Sequence, residues 1–547
     1  MNRMLRWGLA ALLLLSMALP AMAQESMEDA GVDVDLWGYY RVRYDNTFNL
    51  GWRFDEENED GDYNEDSDWW SYFDQRALLM PSVRVNEKIA LKAQIDALRN
   101  VHFGQNALAT IPQVQVERNP ADTEQIESVQ FDAEQLNRGN IFSASTSTNA
   151  SVENGTAAPG DAVDSIEISR LWAEVILPFG FFRFGRMGSN FGMGVFSNDG
   201  NPRKNELGQW EGLDKNYGDT YDRILFGTRI GGHYIPALFY DRVLEGDFKT
   251  GDKDVHQYGF VQYVRDITFG ANNKFDAGLY TVHRTQKSTD ARVFVYDLWL
   301  KLQLGGLTFE NEALAVQGSF TQVDDEVIKD LEESGLPTGA GGGKIEVDAY
   351  IEAMKLHYDT RTWGTGFDFG FSSPADPDPE REFDPAAASQ VAVAAAKQEA
   401  DPDSPQTSID FINTVVDNQA AFGTKVFTFP FDPDYDVDLI IWETLMGGAV
   451  KNGAFLKYSA YLNPLEEFRL QFDLIKSWIN EPGKGQDGED ASHDLGWELD
   501  VDVSSTIYNN FFTGVQFGYA WVGPWFEDKY DNVDNIFTMQ MRAGITF

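Results

Sequence analysis

The stretch DNIFTMQMRAGITF, residues 534–547, carries a regular alternation of apolar and polar side chains. From Phe537 onward the apolar residues occupy every second position, and threonine, glutamine, arginine and glycine stand between them. A period of two is the repeat of a β-strand, in which successive side chains point to opposite faces of the sheet. The stretch therefore predicts a strand with one apolar face and one polar face.

Further segments with the same alternation precede this one, for example residues 495–504 and 511–521. A strand that crosses a bilayer at a tilt needs about 9–11 residues, whereas strands of globular proteins usually have about five or six. Short turns and long polar loops alternate between these segments, as in bacterial outer-membrane barrels. We therefore predict an all-β fold, a transmembrane antiparallel up-and-down β-barrel with short periplasmic turns and long extracellular loops.

We predict 18 strands, with 16 as the alternative because the alternation changes phase in two of them, at 254–265 and 344–358. An even number places both chain ends on the periplasmic side. The predicted strands are 33–45, 72–85, 89–98, 165–177, 181–187, 222–231, 234–243, 254–265, 274–284, 291–304, 307–320, 344–358, 362–372, 453–462, 467–478, 495–504, 511–521 and 537–547. The longest loops are predicted near 46–71, 99–164, 188–221 and 373–452.

The first residues have the features of a secretory signal peptide. Two arginines precede a short apolar run, and Ala21-Met22-Ala23 follows with small residues two positions apart. Because such a leader is removed after export, we predict a signal peptide at 1–23 and a single barrel at 24–547. The formal net charge of −44 argues against a nucleic-acid partner, which needs a basic surface. The chain has no cysteine, which excludes disulfides and thiolate metal sites.

Nothing in the sequence indicates catalysis. The six histidines lie in no recognisable nucleophile motif, and no HExxH zinc motif occurs. Serine hydrolases and metalloproteases both need such an arrangement around a histidine. We therefore expect that the protein is not an enzyme and that it needs no cofactor, with calcium as the one exception considered next.

The predicted first loop contains FDEENEDGDYNEDSDWW, residues 54–70, which is dense in carboxylates. The candidate calcium ligands in this loop are Glu56, Asn58, Asp60 and Asp62. Their spacing, with a glycine at the sixth position, is similar to that of a calcium-binding loop. The twelfth position is serine instead of glutamate, so a solvated acidic loop is the alternative. A bound divalent ion would also bridge the loop to phosphates of lipopolysaccharide.

One part of the predicted loop 373–452 is apolar, namely VDLIIWETLMGG at 437–448. Apolar stretches exposed to water are a liability in soluble surfaces. We therefore expect this stretch to pack against the mouth of the barrel or to fold into the lumen, where an inserted element narrows the pore. The loop 99–164, rich in Ser, Thr, Asn and Gln, is the rival candidate for the inserted element.

These features together resemble Gram-negative outer-membrane β-barrel porins. The resemblance rests on the leader ending Ala21-Met22-Ala23, on the alternating final strand and on the terminal Phe547. It implies a location in the cell outer membrane, contact with lipid and lipopolysaccharide, hydrophilic solutes as cargo, and recognition of Phe547 by the barrel-assembly machinery. A homo-trimer is compatible with it. Residues 185–201 and 431–443 look like segments of large porin-like proteins related to alginate-export barrels.

The charges on the inward-facing positions are distributed unevenly along the chain. Basic residues dominate in the strands before residue 232, and acidic residues dominate after residue 274. Because neighbours in sequence are neighbours around such a barrel, a basic wall would face an acidic wall, with local pairing of the charges as the alternative. The predicted pore-lining residues are Arg41, Arg43, Arg76, Arg170 and Arg183 on the basic wall and Glu310, Asp368, Asp473, Glu498 and Asp500 on the acidic wall.

The sequence thus predicts a channel for diffusion of small or oligomeric hydrophilic solutes. Two alternatives remain open: a polysaccharide-export barrel of the alginate-export kind, and a plugged structural or adhesive surface scaffold. A continuous path of lumen basic residues suited to a polyanion would favour the export barrel. A barrel that never conducts would favour the scaffold.

The first prediction concerns assembly. Deleting Phe547 removes the last outward aromatic side chain and, by the resemblance, the assembly signal. The variant should accumulate in the periplasm and be degraded, which fractionation followed by heat-modifiability gels would show. Normal amounts of heat-modifiable barrel in the outer membrane would contradict the resemblance.

The second prediction concerns the acidic loop. If Glu56, Asp60 and Asp62 bind calcium, the bound ion orders the loop, and a protease should cut it more slowly with calcium than with a chelator. Limited proteolysis of the folded barrel measures this difference. Equal cleavage rates under both conditions would contradict calcium binding and favour the solvated acidic loop.

Overall fold

One large antiparallel sheet makes up most of the computed structural model of the protein. The residues that the structure describes are 32–50, 69–102, 116–118, 126–129, 166–204, 210–213, 215, 218–244, 254–321, 344–375, 425–465, 467–508, 510–530 and 533–547. The leader, the acidic loop at 51–68 and most of the predicted loop 99–164 lie outside them. Within the described residues, no helix is long and apolar enough to span a membrane.

The long strands follow one another around a barrel, and we number them in chain order. They are β1 Asp33–Phe48, β2 Trp69–Asn86, β3 Ile89–His102, β4 Ile166–Leu177, β5 Gly180–Gly188, β6 Thr220–Gly227, β7 Tyr234–Leu244, β8 Val255–Phe269, β9 Asn273–Gln286, β10 Ala291–Leu304, β11 Leu307–Thr321, β12 Lys344–Asp359, β13 Trp363–Ser372, β14 Gly453–Leu465, β15 Phe468–Ile479, β16 Asp494–Ile507, β17 Phe511–Val522 and β18 Ile536–Thr546. Each pairs antiparallel with the next, so the predicted 18 strands are confirmed.

The sheet closes on itself because the first and last strands pair. Phe48 of β1 stands opposite Phe537 of β18, and Tyr39 stands opposite Thr546. Closure leaves no barrel strand with an unpaired edge, and this is the condition under which a sheet is stable in hydrocarbon. The alternating stretch at the end of the sequence is therefore β18, the strand that closes the barrel.

The outer face of the barrel is apolar. Met541 and Ile545 of β18 are 42% and 48% exposed, whereas Arg542 between them forms an ion pair with Asp502 on the inner face. Exposed apolar side chains continue around the barrel, among them Leu36, Leu91, Phe184, Leu238, Leu298, Phe367, Leu474 and Trp521. An apolar band of this extent is unfavourable in contact with water. The barrel lies in the outer membrane, with this band against lipid.

The two phase changes in the sequence have the same physical cause, which is that apolar side chains face inward. In β8 these are Val261 and Tyr263, which belong to or pack against the buried apolar cluster, and a β-bulge at 264–267 follows them. In β12 there is no bulge. Its first half turns apolar residues such as Val347 inward, and charged residues such as Asp348 outward to solvent. The expectation that apolar side chains face the lipid fails there, because the inner face of the strand packs against chain segments inside the lumen.

Two chain segments fold into the lumen. Segment A is the described part of the chain between β5 and β6, namely residues 189–204, 210–213, 215 and 218–219, and segment B is residues 427–452, before β14. Phe191 of segment A and Ile440 of segment B are almost fully buried in one apolar cluster with inward residues of the wall. The amide of Asp432 donates to the carbonyl of Val195 at 2.7 Å, which joins the two segments.

Of the two placements expected for 437–448, at the mouth or in the lumen, the structure shows the lumen, and Ile441, Trp442 and Leu445 of the π-helical turn in segment B are buried. The described part of 188–221, which the sequence indicated as an outer loop, instead enters the lumen as segment A. Its polar composition concealed this, because the polar groups bond to the inner wall. The remaining small elements are the short strands Val116–Arg118, Ile126–Val129, Arg203–Lys204, Trp210–Glu211 and Lys425–Val426 and the helix α1 Pro524–Lys529.

Candidate functional site

A polar cavity of about 970 Å³ occupies the periplasmic part of the lumen. Its wall consists of inward side chains of β10 to β18, including residues beside short turns such as Gly306 and Arg361. On the extracellular side it is bounded by segment A at Leu213 and by segment B at Val437 and Leu439. The two inserted segments therefore set the height of the cavity.

Inward side chains on neighbouring strands form a row of alternating charge, which we call the charge belt. From β9 to β14 its members are Asp276, Lys301, Glu310, Lys355, Asp368 and Lys457, each directly opposite the next. All except Asp276 line the cavity, and Asp276 lines an adjoining side cavity of about 240 Å³. Opposite charges that face each other across a strand pair each contribute about 0.2–1 kcal/mol.

The charge belt contains two of the predicted acidic pore-lining residues, Glu310 and Asp368. The Nζ of Lys301 lies 3.3 Å from Glu310, and Asp368 bonds to the imidazole of His357. Asp473 lies one strand beyond the belt, with its carboxylate 3.4 Å from the Nζ of Lys457. Because cation follows anion along the belt, its charges compensate within a strand spacing.

The basic wall is bonded to segment A. Arg76 of β2, 2% exposed, donates through Nε and Nη2 to one oxygen of Asp96, at 2.9 and 2.6 Å. Its Nη1 donates to the carbonyl of Lys215 in segment A at 2.6 Å. A buried guanidinium thus satisfies an acid of the wall and a carbonyl of the inserted chain together.

Two further predicted arginines bond to segment A in the same way. Arg41 of β1 donates to the carbonyl of Leu213 at 2.7 Å. Arg170 of β4 donates to the carbonyl of Asp199 at 2.8 Å and to the side chain of Gln94 at 2.9 Å. Both arginines are almost fully buried. These guanidinium groups stabilise the inserted chain through its carbonyl oxygens.

The other two predicted arginines pair with acids of the barrel wall. Arg43 lies 2.8 Å from Asp45 and 2.7 Å from Asp74. Arg183, on β5, lies 3.0 Å from Glu174 and is about half exposed. Acids therefore stand among the arginines of the basic wall and pair with them locally.

On the acidic side, Glu498 of β16 is bonded to segment B. Its carboxylate is fully buried and accepts the amides of Leu439, Ile440 and Ile441, each at 2.9 Å. Asp500, two residues along the same strand, lines the cavity. Of these two predicted pore-lining residues, Asp500 thus borders the cavity, whereas Glu498 lies behind segment B.

Glu312 of β11 has the corresponding role for segment A. Its buried carboxylate accepts the amide of Met193, and the amide of Val195 at 3.2 Å. β11 and β2 lie on opposite sides of the barrel. Segment A therefore spans the lumen with carbonyl oxygens bonded to arginines on one side and amide groups bonded to a glutamate on the other.

Burial raises the pKa of several carboxyls within the inserted segments, among them Asp219 and Asp438. Burial raises the pKa of Asp219 to about 7, with Arg284 opposing the shift and Asp434 adding to it. Burial and the neighbouring Glu498 raise the pKa of Asp438 well above its usual value. A carboxyl whose pKa is higher in the folded state binds more protons there. Both groups therefore contribute stability at low pH that is lost as the pH rises through their folded-state pKa.

The sequence did not indicate Lys355 as an inward residue, nor the role of Glu312. Lys355 of the charge belt was not recognised because it lies in β12, where the alternation changes phase. Its neighbours Met354 and Leu356 are apolar and face outward. Because successive side chains of a strand point to opposite faces, this pair could have indicated that Lys355 faces inward. Glu312 gave no signal for its role, since its partners are backbone amides of a segment more than a hundred residues away.

No family model matches the chain, and no curated protein matches it. Solved structures with a similar fold include Pseudomonas aeruginosa OccK8 (OprE), at 9% identity and a TM-score of 0.44, with 94% of this chain and 98% of that chain covered. A BenF-like porin from Pseudomonas fluorescens Pf-5 has 7% identity and a TM-score of 0.47, with 94% and 98% covered. P. aeruginosa OpdK with vanillate has 8% identity and a TM-score of 0.45, with the same coverage.

The third prediction concerns the buried pair on the basic wall. Arg76→Met should lower the free energy of unfolding by about 3–5 kcal/mol, because it leaves Asp96 buried without its cation. Adding Asp96→Asn should restore part of the loss. Denaturant titration of the folded barrel in detergent micelles measures both changes.

Arg84→Met is the matched control, because Arg84 pairs with Asp35 in an exposed position. An exposed pair is worth about 0–1 kcal/mol. Equal losses for Arg76→Met and Arg84→Met would contradict the assignment of Arg76 to a buried structural pair.

Proposed function

We propose that the protein is an outer-membrane channel through which small hydrophilic solutes diffuse. The observation that carries the proposal is the charge-lined cavity inside a closed lipid-embedded barrel. Its volume of about 970 Å³ is in the range of sites that accommodate small molecules, about 300–1,000 Å³. The inserted segments reduce a wide lumen to this size, so they act as the selectivity element of the channel.

The charge belt indicates which solutes would pass. Because its charges alternate over neighbouring strands, it offers closely spaced donors and acceptors without a large net field. Such a surface suits dipolar, zwitterionic or polyhydroxylated solutes and disfavours apolar ones. The basic wall and the acidic wall of the sequence prediction have a structural role in this proposal. Several of their residues bond to segments A and B and hold them in the lumen.

The two alternatives remain distinguishable. Export of a polyanion would need a continuous path of accessible cations, whereas Arg41, Arg76 and Arg170 are buried and bonded to the protein itself. A plugged scaffold would need the segments to block every path through the lumen. We therefore favour the diffusion channel and treat absence of conductance as the result that would select the scaffold.

Several further proposals accompany this function. Lipopolysaccharide contact, recognition of Phe547 by the barrel-assembly machinery and a homo-trimer follow from the porin resemblance. Calcium binding by Glu56, Asn58, Asp60 and Asp62 concerns residues outside the described ones. A passive channel also needs no catalytic residue, which agrees with the expectation that the protein is not an enzyme.

The fourth prediction tests conduction and the charge belt. The purified barrel in a planar bilayer should conduct and show weak ion selectivity in a salt gradient. Lys301→Gln leaves Glu310 without its cation at the cavity wall, so the reversal potential should shift toward cation selectivity. The shift should shrink at high salt, because charges are screened within about 3 Å at 1 M.

Lys484→Gln is the matched control, since Lys484 pairs with Asp490 in an exposed loop away from the cavity. It should leave the reversal potential at the wild-type value. Absence of conductance in the wild-type barrel would contradict the channel. Strong anion selectivity of the wild type would favour polyanion export.

A further inference from the structure

Segment B is attached to the barrel wall by a concentrated set of backbone hydrogen bonds. Five successive amides, those of residues 439–443, are accepted by only two carboxylates. Glu498 on the wall accepts the first three, and Asp438 within the segment accepts those of Trp442 and Glu443. Each of these two carboxyls thus accepts several backbone donors that would be costly to bury without a partner.

Among the residues that the structure describes, Glu498 has no ion pair with a lysine or arginine. Its two carboxyl oxygens accept the amides of segment B instead. The dependence is mutual, because those amides lie in a buried position where an unpaired donor is costly. Removing the carboxylate therefore acts on segment B directly and leaves no unpaired cation behind.

Two further contacts fix where segment B lies. The Nε1 of Trp442 donates to the hydroxyl of Ser477 on β15 at 2.9 Å. Its indole occupies the space into which a side chain at Gly453 would project. The Nζ of Lys457 on β14 donates to the carbonyl of Val437 at 2.8 Å. Segment B is thus held from three adjacent strands, with Glu498 making the largest number of bonds.

The residues next to these bonds border the cavity. Val437, Asp438 and Leu439 line it, and the amide of Leu439 is itself bonded to Glu498. On the other side of the turn, Gly447 and Gly448 both have a φ of +86°, and a Cβ added at either position would meet no atom within 4 Å. A pair of such glycines allows the chain to change direction without a steric cost.

We propose that Glu498 is a positioning residue that fixes segment B across the lumen and thereby sets the size limit of the pore, an inference that rests on the proposed channel function. Without the carboxylate, the three amides lose their common acceptor, and the segment leaves the wall for part of the time. The cavity then opens on its extracellular side. Glu498 acts through segment B and does not itself touch the solute.

The fifth prediction tests this role with Glu498→Gln in single-channel recordings. Events of a larger conductance level should become about tenfold more frequent, because glutamine has one acceptor oxygen instead of two, so at least one buried amide of segment B loses its partner. Swelling of liposomes should also admit larger neutral sugars than the wild type does. Glu498→Asp keeps both acceptor oxygens on a shorter side chain and should restore part of the wild-type behaviour.

Glu467→Gln is the matched control. Glu467 borders the cavity beside the turn between β14 and β15 and has no bond to segment B among the described residues. It removes the same charge from the lumen, so it shows the effect of charge alone. Heat-modifiability gels establish that every variant forms a folded barrel. Equal frequencies of large events in Glu498→Gln and Glu467→Gln would overturn the proposal.

A second measurement does not depend on conductance. Because the chain has no cysteine, Leu439→Cys introduces a unique thiol at the border of the cavity. A charged thiol reagent should modify it faster when Glu498→Gln is also present. An unchanged rate would overturn the positioning role.

The outcomes separate this proposal from the channel function. If the wild type does not conduct but Glu498→Gln does, the residue fixes a plug, and only the proposed function fails. If the wild type conducts and Glu498→Gln matches it in conductance and sugar size, only the positioning role fails. If neither folded barrel conducts and the thiol rate is unchanged, both are overturned.

Discussion

The internal structure of this barrel depends on hydrogen bonds between charged side chains of the inner wall and the backbone of two inserted segments. Arginines on one side donate to carbonyl oxygens, as Arg76 does to Lys215. Glutamates elsewhere accept amide groups, as Glu498 does from Ile440. An irregular segment inside a membrane protein must have its backbone groups satisfied by the surrounding protein. The charges of the lumen meet this requirement, and they therefore determine where the segments lie.

This use of charge separates the lumen into two parts. Where the segments lie, the charges are buried and bonded to the chain itself, and apolar residues such as Phe191 and Trp442 pack around them. Toward the periplasm the side chains of the charge belt line an open cavity instead. A lumen of 18 strands would be wide and weakly selective if it were empty. The inserted segments confine it to a size at which single side chains can influence a solute.

The sequence predicted the barrel well because long strands, short turns and outward apolar residues repeat along the whole chain. It predicted the lumen less well, because a side chain facing water and one facing an inserted segment look alike in sequence. In β12 the inward Val347 was indistinguishable from a lipid-facing residue. Segment A looked like an outer loop because its polar groups bond to the wall. Glu498 was recognised as inward, but its partners lie in a segment more than fifty residues away.

Amide hydrogen exchange of the folded barrel tests this account most directly. The amides of residues 439–441 in segment B and of Val195 in segment A donate to carboxyls of the barrel wall. These hydrogen bonds protect the amides from exchange with water. If the wall charges fix the segments, these amides should exchange as slowly as those of the neighbouring strand β16. Exchange at the rate of an unprotected surface loop, with β16 still protected, would contradict the account.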